Sequence, residues 1–305
     1  MINTMSAKKK RKYRKSIPSI IFDTFNTILM LFLIVITLYP FWHVAMASIS
    51  NPPSLIIHSG PVLHPIGGIE VGNYGLVFRN PMISLGYLNT IKYLVVGTTI
   101  NMIMTMFCAY ALSRKQLMLR NFVMYLIIFT MYFSGGLIPS YLLVQNLGMT
   151  DTLWALVLPG AISTYNMIIM RTAFSSIPDS MEESAKLDGA NDLTILFRII
   201  IPLSMPTIAV MILFYGVGHW NSWFSAMIYL RTRAKFPLQL ILREILLANT
   251  ASGETMVDTA AGDKIPLAET VKYATIMVAT VPILFIYPFL QRYFVKGIMI
   301  GAIKG

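Results

Sequence analysis

The apolar residues of this chain arrive in six blocks, 20–47, 89–112, 121–141, 153–172, 205–227 and 273–293. Each is long enough to cross roughly 30 Å of hydrocarbon as a helix. Lipid offers no hydrogen bonds to a backbone, so spanning segments must be helices or closed barrels. Barrel strands alternate apolar and polar residues over about ten residues, and these blocks show no such alternation. The expected fold class is therefore an all-α membrane protein. Composition agrees: 56% of residues are hydrophobic and 12% are charged, where soluble domains carry about 25% charged residues.

A net charge of +11 would suit nucleic acid, and Lys8, Lys9, Lys10, Arg11, Lys12, Tyr13, Arg14 and Lys15 form a basic run. Its position directly before the first apolar block makes it a topology signal instead, holding a tail at 1–19 in the cytoplasm. The other cytoplasmic segments then contain Arg114, Lys115 and Arg120, then Arg171, Lys186 and Arg198, then Arg292, Lys296 and Lys304. The outside segments carry half as many basic residues, so the assignment obeys the positive-inside rule. Ala45-Met46-Ala47 resembles a signal-peptide cleavage site, but the apolar region before it is about 25 residues, too long for a signal peptide core. Cys108 is the single cysteine and cannot form an intrachain disulfide.

Three connectors stand out. Loops 48–88 and 228–272 are external in this topology, and their length marks them for contact with an extracellular partner or, failing that, as disordered spacers. Gly135-Gly136 and Pro139 interrupt the third block and predict a bend there. The cytoplasmic loop 174–203 collects Asp179, Glu182, Glu183, Asp188 and Asp192. Pro178 suits a helix's first turn, and the acidic residues after it suit the positive end. Gly189 can take the left-handed conformation that ends the helix, and Asn191 or Asp192 can cap a second one. Pro202 and Pro206 mark re-entry into the membrane. By physics alone, such a hairpin serves equally well as a lever gripped by a partner or as a plain connector.

The hairpin residues carry a resemblance. Glu183-Ser184-Ala185, three residues, Gly189, nine residues and Ile199-Ile200-Ile201-Pro202 resemble the EAA motif of ABC importer permeases, E-A-A-x3-G-x9-I-x-L-P, with Ser184 for Ala and Ile201 for Leu. Asn89-Thr90, Ala109-Tyr110-Ala111-Leu112-Ser113-Arg114, Gly148-Met149-Thr150-Asp151-Thr152, Trp220-Asn221-Ser222-Trp223-Phe224 and the ending from Lys296 to Gly305 are similar to MalG-type permeases of oligosaccharide importers. Ser134-Gly135-Gly136-Leu137-Ile138-Pro139 and the basic start resemble their LplC/YtcP branch, which implies pectin- or rhamnogalacturonan-derived sugars.

The resemblance implies a type I ABC importer permease fold of six transmembrane helices in a bacterial cytoplasmic membrane. Its expected partners are a second homologous permease subunit, two ABC ATPase subunits, an extracellular solute-binding lipoprotein, an oligosaccharide and membrane lipid, with no nucleic acid. ATP and Mg would be bound by the ATPases, since this chain has no GxxxxGK[ST] loop. Glu182, Glu183, Ser184, Ala185, Asp188, Gly189, Ala190, Ile199 and Pro202 would form the coupling element. Aromatic faces stack on sugars and amides bind their rims, so Tyr132, Tyr165, Asn166, Tyr215, Trp220, Asn221 and Trp223 are path candidates. Each could equally be a packing or interfacial residue. His43, His58, His64 and His219 lack ligand spacing, so neither a metal nor a cofactor is expected in this chain, and no catalytic constellation is evident inside a span. An ion-gradient-driven secondary transporter is the rival class, but it calls for an intramembrane carboxylate, and Asp23 lies only at a span's edge. An ABC permease for a different solute is the other alternative.

Overall fold

The computed structural model describes residues 16–255, 271–285 and 288. The basic run Lys8 to Lys15, the loop residues Asp258, Asp263 and Lys264, and the ending from Lys296 lie outside the described residues. Helix α1, Ile17–Ser48, is apolar on every side and buries only Ala47 and Ser48 at its far end. A helix with no polar face and no protein cover is stable in lipid and not in water. Two short helices follow, α2 Pro52–Ile57 and α3 Gly72–Arg79, and then α4, Pro81–Ser113. Asn80 begins α4 by accepting the Met82 N–H at 3.0 Å, with proline at the first helical turn.

The core forms around α4. It packs against α8 (Thr164–Ser175) and α12 (Met205–Trp220), and Met167, Met170, Phe174, Ile195, Leu196, Ile200 and Met211 are almost fully buried between them. Small and polar residues, Thr90, Gly97, Asn101 and Thr105, lie buried along α4 and let the backbones approach closely. At Gly97 the approach is closest: a Cβ there would sit 2.5 Å from the His219 ring of α12.

Several expected spans are broken, each for a local reason. The third block divides into α5, Arg120–Tyr132, and α6, Leu137–Asn146, which meet at 113°. Gly136 supplies the turn with φ +87°. The fourth block is not one continuous helix over 153–172. It runs as α7, Trp154–Val157, a 3-10 turn at Leu158–Gly160, and then α8. Asn101 of α4 stabilises that break by donating to the carbonyls of Gly160 at 2.8 Å and Ala161 at 2.9 Å, which helical geometry would otherwise have satisfied. The fifth block ends at Trp220 rather than 227, and a three-residue gap precedes α13, Phe224–Tyr229.

Between α8 and α12 lie α9 (Asp179–Leu187), α10 (Asp192–Ile195), a π-helical turn at Leu196–Ile200 and α11 (Ile201–Leu203). The segment Asp192–Leu203 meets α12 at 86°. The remaining described elements are a 3-10 turn at Arg233–Lys235, then α14, Leu238–Thr255, and α15, Val271–Phe285. Among the described residues, two helices, α1 and α4, are long and apolar enough to span alone, and the two bent pairs bring that to four; α8 and α15 are shorter.

The described parts of both long loops are folded, which overturns the disordered-spacer alternative for them. In 48–88, buried Asn73 donates to the Ser50 carbonyl at 3.4 Å and the Glu70 carbonyl at 3.3 Å. In 228–272, the Leu238 N–H donates to Thr90 Oγ1 at 2.8 Å, and Tyr93 of α4 donates to the Lys235 carbonyl at 2.7 Å. Both loops thus pack at the start of α4, while the acidic hairpin packs against its end. One continuous helix, α4, joins the two.

Candidate functional site: the acidic hairpin

Pro178 sets the start of α9, Asp179 and Glu182 fill its first turn, and Lys186 its last, so the charges oppose the helix dipole. Gly189 lies in the left-handed region at φ +82°. Its N–H donates to the Lys186 carbonyl at 3.0 Å, and the Ala190 N–H donates to the Ala185 carbonyl at 2.9 Å. This pair of bonds closes the helix end and explains the spacing of Ala185, Gly189 and Ala190. Ala185 and Ala190 also pack on the α8/α12 core. Asn191 then caps α10, its Oδ1 accepting the Thr194 N–H at 2.8 Å.

Two neighbouring carboxylates have different fates. Glu182 points inward and pairs with Arg114 at the end of α4 and with Lys186 at 2.9 Å. Arg114 in turn donates to Ser113 Oγ at 2.8 Å and to the Phe174 carbonyl at 3.1 Å, tying α4, α8 and α9 together. Burial alone would raise the Glu182 pKa, but the hydrogen bonds from Lys186 and Arg114 outweigh it and hold the carboxyl below its usual range. Lys115 and Asp179 add an exposed pair at 2.7 Å. Glu183 is exposed and has no ion pair among the described residues. Ser184 and Asp188 are exposed beside it, and Leu187 stands 89% exposed at the hairpin tip. Of the remaining motif residues, Ile199 is half-buried within the π-helical turn, and Pro202 is exposed in α11, just before the chain bends into α12.

The structure separates the path candidates. Tyr132 is 83% exposed and Tyr165 56% exposed. Tyr215 is buried, sharing a 2.7 Å hydrogen bond with Thr105 and accepting the Ser163 N–H at 3.1 Å, which makes it a strut between helices. Trp220 is buried against Tyr87, its Nε1 without a hydrogen-bond partner among the described residues, and Asn166 is buried in the first turn of α8. Only Asn221 and Trp223 line a common cavity, of about 390 Å³, between α14 and α15.

Two arrangements escape a reading of the sequence. Asn101 Oδ1 lies 2.6 Å from His219 Nε2, joining α4 to α12. At the opposite end, Asp151 adopts φ +58° and accepts the N–H groups of Arg231 and Thr232, both at 3.0 Å, and Lys235 Nζ at 2.7 Å. Those bonds pin the α6–α7 turn to the segment before α14 and hold the Asp151 carboxyl well below the usual carboxylate range. Gly148, also at positive φ three residues before it, was the available signal.

Residues 4–300 match the family described as binding-protein-dependent transport system inner membrane component. The chain is 39% identical over 285 residues to the polygalacturonan/rhamnogalacturonan transport system permease protein YtcP of Bacillus subtilis, covering 93% of this chain and 99% of YtcP. It is 38% identical over 288 residues to LplC of the same organism, covering 93% of this chain and 95% of LplC. Among solved structures, a bacterial ABC transporter involved in the import of the acidic polysaccharide alginate matches with a TM-score of 0.83 at 33% identity, over 92% of this chain and 99% of that one. This protein therefore belongs to the inner-membrane permease family of binding-protein-dependent ABC importers.

Proposed function

We propose that this chain forms one half of the membrane core of an importer for acidic oligosaccharides of the pectin type, with the α9–α10 hairpin as the handle through which ATPases move it. The contrast between Glu182 and Glu183 carries the reading. Glu182 fastens the hairpin to α4 and α8 through Arg114. Glu183, one residue on, presents a carboxylate with no ion pair among the described residues to whatever docks there, beside an exposed Leu187. A handle needs both a rigid root and an open grip. Force applied at the tip would pass through Arg114 into α4, and α4 reaches the opposite loops.

In the assembled importer, a second homologous permease would complete the path, two ATPase subunits would grip one hairpin each, and a solute-binding lipoprotein would deliver sugar to the loops 48–88 and 228–272. The hairpin and both termini would face the cytoplasm, in accord with the basic residues Arg114, Lys115, Arg120, Arg171, Lys186 and Arg198 near that end. The similarity to YtcP and to the alginate importer supports an anionic oligosaccharide as cargo.

Replacing Glu183 by Lys tests the grip directly. Membrane insertion should persist, because Glu183 makes no ion pair within the described residues, while uptake in vesicles should fall at least tenfold, a cost of about 1.4 kcal/mol at a charged contact. Uptake at the wild-type rate would remove Glu183 from the grip.

A further inference from the structure

The cavity shared by Asn221 and Trp223 has chemistry of its own. Arg243 of α14 lies over the Trp223 ring, 4.4 Å from its centroid. That contact uses the guanidinium face and leaves its edge, the part that forms paired hydrogen bonds with a carboxylate. Among the described residues, the edge meets only Met227 Sδ, at 3.1 Å, a weak acceptor. The adjacent carboxylate, Glu244, is taken by Arg233 at 2.9 Å. Arg243 thus has no carboxylate partner among the described residues.

The opposite wall repeats the pattern. Thr275 of α15 lines the same cavity, is 1% exposed, and its Oγ1 has no hydrogen-bond partner among the described residues. An unpaired buried hydroxyl is unfavourable and rare in folded chains. Asn221 and Gln239 add amides to the lining. A cavity of about 390 Å³ with one aromatic plate, one cation that has no carboxylate partner among the described residues, and two amides has the size and polarity of a small-ligand site.

We propose that this cavity is a subsite for one uronate ring of the transported oligosaccharide, with Arg243 receiving the carboxylate, Trp223 the ring's apolar face, and Asn221 and Gln239 its hydroxyls. The inference rests on the oligosaccharide reading above and adds to it the residue that selects charge.

The test uses the assembled importer with its binding protein in proteoliposomes, and two probes, trigalacturonate and its fully methyl-esterified trimer. The readout is the ratio of initial uptake rates, acid to ester, in which the binding protein's own preference cancels between variants. For Arg243→Gln the ratio should fall about tenfold relative to wild type, the loss expected for one charge-assisted contact. For Arg243→Lys, which keeps the charge without the fork, it should fall about threefold; this variant also serves if the glutamine protein fails to assemble. Trp223→Ala should slow both probes and leave the ratio within a factor of two. A ratio unchanged in both Arg243 variants, while the wild type imports the acid, would overturn the subsite and leave the oligosaccharide reading standing. Failure of the wild-type complex to import either probe would overturn both.

Discussion

Glu182→Ala is the sharpest probe of the hairpin's root. The Glu182 and Arg114 side chains are only 11% and 15% exposed, and Lys186 donates to the same carboxylate. Breaking a fully buried pair costs about 3–5 kcal/mol and an exposed one about 0–1 kcal/mol. With the remaining donors of Arg114 still satisfied by Ser113 and Phe174, about 2 kcal/mol is the appropriate figure. That shifts the docked-to-undocked ratio of the hairpin by roughly thirtyfold. Hydrogen exchange of the intact complex in nanodiscs should show amide protection across 179–187 falling by about that factor, while the α8 core around Met167 stays protected. Arg114→Met should weaken protection similarly, and the double variant should cost less than the sum, because no orphan charge remains. The pH dependence has a definite sign. A carboxylate held below its ordinary value of 4.5 contributes stability above that value and loses it as pH falls through the lower folded value. Protection should therefore be flat from about pH 8 to 5 and decline only below 4.5. A change under threefold in both single variants would refute the anchoring role of Glu182.

Two other positions give separable outcomes. Gly189 has open space around the missing Cβ, so the cost of Gly189→Val is backbone strain at φ +82°, on the order of 1–2 kcal/mol. Uptake should drop several-fold, and Gly189→Asn, which tolerates that conformation, should retain most of it. Asp151→Ala removes the acceptor for two N–H groups and Lys235, at a φ of +58° that alanine adopts poorly. The melting temperature of the purified complex should fall by several degrees, and limited proteolysis should open the 230–236 segment first.

Much of the hairpin was legible in the sequence because its determinants are local. Pro178, Gly189 and Asn191 each act on their own turn, and Ala185 and Ala190 sit at the spacing that a glycine-closed helix end requires. The direction of Glu182 was not legible. Adjacent residues on a helix point about 100° apart, and the choice depends on Arg114, 68 residues earlier. The broken fourth span was hidden for the same reason, since its freed carbonyls are satisfied by Asn101, about sixty residues away. Likewise Tyr215 and Trp223 are both aromatic residues in apolar surroundings. Only Thr105 and Ser163 make the first a strut, and only Arg243 makes the second a cavity wall.

Leu187, exposed at the hairpin tip, offers the most direct test of the handle. In a Cys108→Ser background, which removes the single native thiol, Leu187→Cys should react with a membrane-impermeant maleimide in inside-out vesicles and not in right-side-out ones. Binding of the ATPase subunits should protect it. Labelling from the outside, or equal labelling with and without the ATPases bound, would contradict the account.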